Sequence, residues 1–321
     1  MLEALAALSL SLANGPTARP ETCDVEIVVL GAGQDAGAPQ IGRSDDPAWE
    51  DRALSLTATS LGLVNRRHGA RFIFDAAPEI RDHLKALDDV APRNGDKGAD
   101  LGVDGIFLTH AHIGHYTGLM FLGREAAGAR DVPVYAMPRM KAFLEENAPW
   151  AQLVTLRNID IRPLSANATT RIDDVVSVTP IPVPHRDEYS ETVGYWIDAA
   201  AARAFFLPDI DSWDSWRDVA GIDIADVVRN AHVAFIDATF FMDGELANRD
   251  MSDIPHPRVA ATMERLAALP AADKAKVRFI HYNHTNPIRH RASPHSRQVE
   301  NLGFGVARAG DRHCLAPIVS E

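Results

Sequence analysis

The residues best suited to chemistry crowd into one stretch, Gly105-Ile-Phe-Leu-Thr-His-Ala-His-Ile-Gly-His-Tyr-Thr-Gly-Leu119, which carries His110, His112 and His115. Neutral imidazole is the commonest protein ligand for zinc and similar ions. In an extended segment residues i and i+2 point to the same side, so His110 and His112 can grip one ion together. His115 lies beyond Gly114, where the chain can turn, and can face a second ion nearby. The apolar run 106–108 just ahead reads as a short buried strand, so the imidazoles emerge at a strand end. Solvated or core histidines would not be expected to crowd together directly after such a strand.

Three further strand ends carry ligand-type residues: Pro182-Val-Pro-His185, Phe205-Phe-Leu-Pro-Asp209 and Phe279-Ile-His-Tyr-Asn-His284. Each polar group follows an apolar run, which places it at the rim of a sheet, where open sites are commonly built. Taken singly, each reads as a satisfied cap or structural hydrogen-bonder. Together with the histidine triplet they form a candidate ligand set. His68, His83, His232, His256, His290, His295 and His313 fall on predicted turns or helices and read as solvated or structural. Asp237 ends another strand and reads as structural, with a catalytic base as the functional alternative. Trp213 and Trp216 follow Asp209 and could wall a substrate pocket, although their spacing of three fits the buried face of a helix better.

The elements that must position these groups can be read from periodicity. Residues 25–30 form a strongly β-prone run that enters the glycine-rich loop 31–39. Gly31, Gly33 and Ala36 match the letters of a dinucleotide-binding fingerprint, but Gly37 and Pro39 would break the helix it must open, so a nicotinamide site is rejected. Residues 60–65 and 71–75 read as a strand pair around the turn at Arg67, His68 and Gly69. A helix is expected over 79–87, a polar loop over 94–100, and a helix carrying Leu119, Met120 and Leu122 after His115. A strand over 132–136 precedes a helix over 138–146 with proline at its favoured first position. The second half gives strands over 177–183, 193–197, 204–207, 233–237 and 277–280, and a helix over 257–269. Two sheets packed face to face with helices outside, an α/β sandwich, would satisfy this order.

Composition sets the remaining bounds. The chain has 321 residues, 46% hydrophobic and 24% charged, as in an ordinary soluble globular protein. With 32 basic and 44 acidic residues its net charge is −12, which argues against a nucleic-acid surface and favours a small-molecule substrate. Its two cysteines, Cys23 and Cys314, sit in no metal-binding spacing and could pair only if the termini meet. Residues 1–13 form an apolar run too short to span a membrane, followed by a polar stretch. It reads either as a secretory signal, despite Glu3 where a basic residue is usual, or as an amphipathic helix. Residues 1–22 are therefore read as a leader or linker and 23–321 as one domain, with a periplasmic or secreted location and a cytoplasmic one equally open. Oligomeric state is not legible.

The order of a His-x-His-x-x-His loop, a lone histidine, an aspartate and a C-terminal histidine resembles the metallo-β-lactamase superfamily. The resemblance implies a four-layer αββα sandwich binding one or two ions at one edge. It implies that His110, His112 and His185 hold the first ion, that His115 and His281 help hold the second, and that Asp209 bridges them. It also implies that Asp75 orients a ligand histidine. The usual loop reads His-x-His-x-Asp-His, and here Gly114 stands at the aspartate position, so the second site lacks its expected carboxylate. His284 is proposed to fill that space. A narrower similarity, to the coenzyme PQQ synthesis protein B family, rests on the loop ending in Pro39-Gln40, on Ile236-Asp-Ala-Thr-Phe240 and on His281-Tyr-Asn-His-Thr-Asn-Pro287. This chain keeps the histidine loop, most of which the members of that family have lost, and lacks the cysteines those proteins carry after Pro-Gln.

The expected activity is therefore metal-dependent hydrolysis of a small-molecule ester, lactone, β-lactam or phosphodiester, with zinc in one or two copies and iron or manganese as alternatives. Such an ion lowers the pKa of its water from roughly 15.7 toward about 7, so a hydroxide serves as nucleophile and no serine or cysteine is needed. Non-haem iron oxygenation of a cofactor precursor, and a metal-stabilised binding protein without turnover, are the other two readings.

Overall fold

The computed structural model describes residues 23–92, 101–200, 202–247 and 249–317. The apolar run at the N-terminus and the expected loop 94–100 lie outside them. Of the first sheet, β1 (Cys23–Gly31) pairs antiparallel with β2 (Ser60–Asn65), which pairs antiparallel with β3 (Ala70–Phe74). Three parallel pairings then add β4 (Gly105–Phe107), β5 (Val132–Ala136) and β6 (Ile159–Pro163). The second sheet begins with the antiparallel run β7 (Thr170–Arg171), β8 (Val176–Pro182), β9 (Val193–Ala199) and β10 (Ala202–Leu207). It continues in parallel through β11 (Val233–Asp237), β12 (Val277–Ile280) and β13 (Gly305–Val306). Finally β14 (Arg312–Pro317) returns to the first sheet and pairs with β1.

Alternation along each strand decides the layers. Val25, Ile27 and Val29 of β1, Phe72 and Phe74 of β3, and Phe107 of β4 enter the cluster between the sheets. Their neighbours Val28, Leu30, Ile73 and Ile106 instead enter a second cluster under helices that include α1 (Ile80–Val90). Because side chains alternate faces along a strand, this division makes the first sheet apolar on both sides. The sheets meet at an aromatic seam: Phe107 stacks on Phe74 and on Tyr135 with centroids 4.9 and 4.3 Å apart, and Tyr195 of the opposite sheet meets Phe107 edge-on at 5.7 Å. Each such ring removed from water contributes about 1.5–3 kcal/mol. Helices on the outer face of the second sheet complete the αββα sandwich: Phe206 meets Phe74 between the sheets, whereas its neighbour Phe205 faces outward onto Trp216 of helix Trp213–Ala220.

Most expected elements stand where the periodicity put them, with two differences. The helix expected over 257–269 is the shorter Val259–Arg265. The helix expected after His115 is a single turn, α2 (Ile113–Tyr116), continued as a 3-10 helix over Thr117–Leu122. Trp213 and Trp216 are buried on one helix face, as their spacing suggests, with their indole N–H groups bound to the Thr262 hydroxyl and the Pro182 carbonyl, so they do not wall a pocket over the histidines. The termini of the sandwich do meet: β14 lies beside β1, and Cys23 and Cys314, 5.8 Å apart at Cα, form a disulfide.

Candidate metal centre

At the end of β4 the chain leaves the sheet under tight control. Asp75 follows β3 at φ 68°, and its carboxylate accepts the Thr109 N–H at 2.8 Å and the Thr109 hydroxyl at 2.9 Å. The Tyr195 hydroxyl donates to the Leu108 carbonyl at 2.5 Å, and the Ala111 N–H to Ser190 Oγ at 2.8 Å. Those restraints fix the backbone that carries His110, His112 and, on α2, His115. His185 stands just beyond β8, Asp209 just beyond β10 and His281 just beyond β12, so strand ends of both sheets converge on one rim.

Two donor groups result. In the first, His112 Nδ1 lies 2.9 Å from His110 Nε2 and 3.3 Å from His185 Nε2. Two metal–nitrogen bonds of about 2.05 Å opened to a tetrahedral angle would place their nitrogens about 3.3 Å apart, so the spacing suits one ion. In the second, His115 Nε2 and His281 Nε2 lie 3.0 and 3.2 Å from Asp209 Oδ2. Asp209 joins the groups, since His110 Nε2 is 3.7 Å from its Oδ2 and His185 Nε2 is 3.7 Å from its Oδ1. His115 Nε2, His281 Nε2 and Asp209 Oδ2 are buried and have no hydrogen-bond partner. Orphaned buried polar atoms are costly, and three aimed at one point are the donor set a cation requires.

The far edge of nearly every ring is fixed by an oxygen. His115 Nδ1 is 2.7 Å from Asp75 Oδ2, and His185 Nδ1 is 3.0 Å from Asp211 Oδ1. Thr109 Oγ1, whose own proton goes to Asp75, accepts from His110 Nδ1 at 2.9 Å. Thr239 Oγ1 likewise donates to Asp237 and accepts from His281 Nδ1 at 3.1 Å. A proton held on Nδ1 leaves the Nε2 lone pair facing the centre, the arrangement that supports metal-binding histidines. His112 alone is reversed, with Nδ1 inward and Nε2 3.6 Å from Glu188.

Electrostatics favour a cation. Burial pushes the pKa values of His110, His112 and His281 down, so these rings are neutral. Burial also opposes charge on Asp209, but the neighbouring His281, His115 and His185 outweigh it and hold its carboxyl well below the usual range. For His115 burial is outweighed by Asp75 and Asp209, which hold its pKa well above the ordinary value. A bound ion would displace that proton, so binding is proton-coupled. Three non-glycine residues at this rim, Asp35, Asp75 and His281, have φ of 30°, 68° and 64°. Such left-handed backbone is costly outside glycine and concentrates at functional sites.

Of the residues singled out from sequence, His110, His112, His115, His185, Asp209 and His281 come together, and Asp75 supports His115. His284 does not join them, which corrects its proposed place in the second site. The chain turns after Asn283, whose side chain accepts the Thr285 N–H at 3.0 Å, while the Asn286 N–H donates to the Asn283 carbonyl at 2.9 Å. That turn sends His284 toward Arg43, Arg289 and Asp46, which are its charged neighbours. Two residues were missed. His256, read as structural, has its Nδ1 2.8 Å from Asp237 Oδ2 and 3.8 Å from Asp209 Oδ1, and its ring centroid is 5.3 Å from that of His185. Burial disfavours its charge, but Asp237 more than offsets this and its pKa is raised. It follows Pro255 in a loop, where no periodicity marks it. The other is Asp35, whose Oδ1 lies 3.9 Å from His115 Nε2; a polar residue just past the β1 run could have been weighed like Asp209.

Residues 70–282 match the family described as the Beta-lactamase superfamily domain. Coenzyme PQQ synthesis protein B of Methylococcus capsulatus is 27% identical over 312 residues, covering 88% of this chain and 98% of that protein. The protein of the same name from Xanthomonas campestris pv. campestris is 24% identical over 309 residues, covering 89% and 98%. The solved structure of Zn(2+)-bound PqqB from Methylobacterium extorquens superposes with a TM-score of 0.73 at 21% identity, covering 90% of this chain and all of that one.

Proposed function

This chain belongs to the beta-lactamase superfamily, in its PqqB-like group, and we propose that it is a metal-dependent hydrolase of small ester-type substrates, phosphodiesters included. The observation that carries the reading is the convergence of five imidazoles on one shared carboxylate, Asp209, with unpartnered nitrogens facing inward. His110, His112 and His185 would hold one ion, and His115 and His281 a second, with Asp209 between them. Zinc suits this imidazole-rich set, with iron or manganese as alternatives. Bound there, the ions would supply Lewis acidity and make water a nucleophile near neutral pH.

The chain's own groups do the rest. Asp209 orients the attacking water from between the two histidine groups. His256, held through Nδ1 by Asp237, gives a proton to the leaving oxygen. Asp237 cannot itself serve as a free base, because its oxygens already accept from Ile210, Thr239 and His256. The net charge of −12 favours a small substrate over a polynucleotide. The disulfide between the terminal strands favours an oxidising compartment, outside the cytoplasm.

A second reading has its own support. His115, His281 and a carboxylate are the two-histidine, one-carboxylate set that suits non-haem iron, and PQQ-synthesis relatives fit hydroxylation of a cofactor precursor. Assays with zinc as the sole ion, under strict anaerobiosis, separate the two. The hydrolase turns over an ester and phosphodiester panel there, and His256→Gln slows it by about 10²–10⁴-fold with metal content unchanged. Activity that requires Fe(II) and consumes oxygen moves the assignment to the hydroxylase.

A further inference from the structure

We propose that Asp35, from the loop after β1, supplies the carboxylate of the second cation group, and that residue 114 must be glycine because this carboxylate stands where its side chain would be. The proposal rests on the reading that the rim holds cations, and it assigns a ligand that sequence reading had placed at His284.

Three independent observations converge. First, single donor atoms of Asp35, His115 and His281 all lie within 4.8 Å of one another. Both imidazole Nε2 atoms in that set are buried and unpartnered, so the group is aimed at a ligand that the protein itself does not provide. Without Asp35 those two rings would share only Asp209 with the first group, and an added anion raises the attraction for a divalent ion.

Second, the loop is built to present that side chain. Gln34 N–H donates to the Tyr282 carbonyl at 3.1 Å, and Tyr282 N–H returns to Ala32 at 3.0 Å. The Asn283 amide also donates to the Gln34 side chain. These bonds tie the loop to the strand end that carries His281, so the two ligands move together. Asp35 adopts φ 30°, and its Oδ1 accepts the Gly114 N–H at 3.1 Å, which fixes the carboxylate over α2.

Third, positions 35 and 114 exclude each other. A Cβ built on Gly114 would lie 2.5 Å from Asp35 Cα and 2.6 Å from Asp35 Oδ1. The first clash is with backbone and cannot be relieved by rotating a side chain. A carboxylate rooted at 114 and one rooted at 35 are therefore two ways to fill one space, and this chain uses the second.

The test is metal counting and titration by calorimetry with Zn²⁺ on the full chain, with melting temperature recorded for every variant. Wild type should bind two ions. Asp35→Asn, which keeps the shape, and Asp35→Ala should retain the first ion and weaken the second by about 10–100-fold. Gly114→Ala should give the same selective loss, because its Cβ displaces the Asp35 backbone. His284→Ala should keep both ions. Two ions at undiminished affinity in folded Asp35→Asn and Asp35→Ala overturn the assignment and leave the hydrolase reading standing. A wild-type chain that binds no ion overturns both.

Discussion

The two donor groups at the rim share Asp209 yet are built differently. His110 and His112 come from one extended loop, and His185 from the end of β8, each on backbone fixed by the sheets. The second group draws His115 from α2, His281 from β12 of the opposite sheet, and Asp35 from a loop whose side chain keeps 31% exposure. A local group costs little chain ordering, whereas an assembled one depends on three segments arriving together. The first group should therefore hold its ion more tightly, and the second should be the one that loop movements and substrate entry perturb.

The largest effect that sharpens this contrast lies in the supporting oxygens. Asp75 binds His115 directly and reaches His110 through Thr109, so it serves both groups, whereas Asp211 serves His185 alone. Asp75→Asn should weaken both ions and Asp211→Asn only the first, each by about 10–100-fold in affinity. Calorimetric titration of the two variants reads this directly; equal, single-site losses would break the account of how the groups are supported. Smaller for the site, though not for the fold, is the terminal disulfide. Cys23→Ser with Cys314→Ser should cost about 2–4 kcal/mol of stability while metal content stays at the wild-type level. Denaturant melts with metal analysis check it, and loss of either ion would show that the staple and the rim are coupled.

How much of this was legible follows from which signals are local. The strands were readable because burial on one or both faces imposes apolar runs, as in Val233–Asp237 and Val277–Ile280, whose bounds agree with the structure. His110, His112 and His115 were readable because they follow such a run. Asp35 is hidden because its loop looks like glycine-rich punctuation, and its partner glycine, Gly114, looks like a missing ligand to be replaced by a histidine beside His281. His284 lies close to His281 in sequence and so looks able to fill that gap, but the turn built by Asn283 and Asn286 carries it away. His256 was hidden because its meaning lies in Asp237, 19 residues earlier on a strand end. Strand-end chemistry is written locally, whereas loop chemistry depends on the folded partner.

The central claim is that this rim holds two ions around Asp209, and anomalous diffraction from crystals grown with Zn²⁺ tests it most directly. The account predicts two peaks about 3.5–4 Å apart, one among His110, His112 and His185 and the other among His115, His281 and Asp35, with Asp209 between. A single peak, or a second one lying away from Asp209, would contradict it.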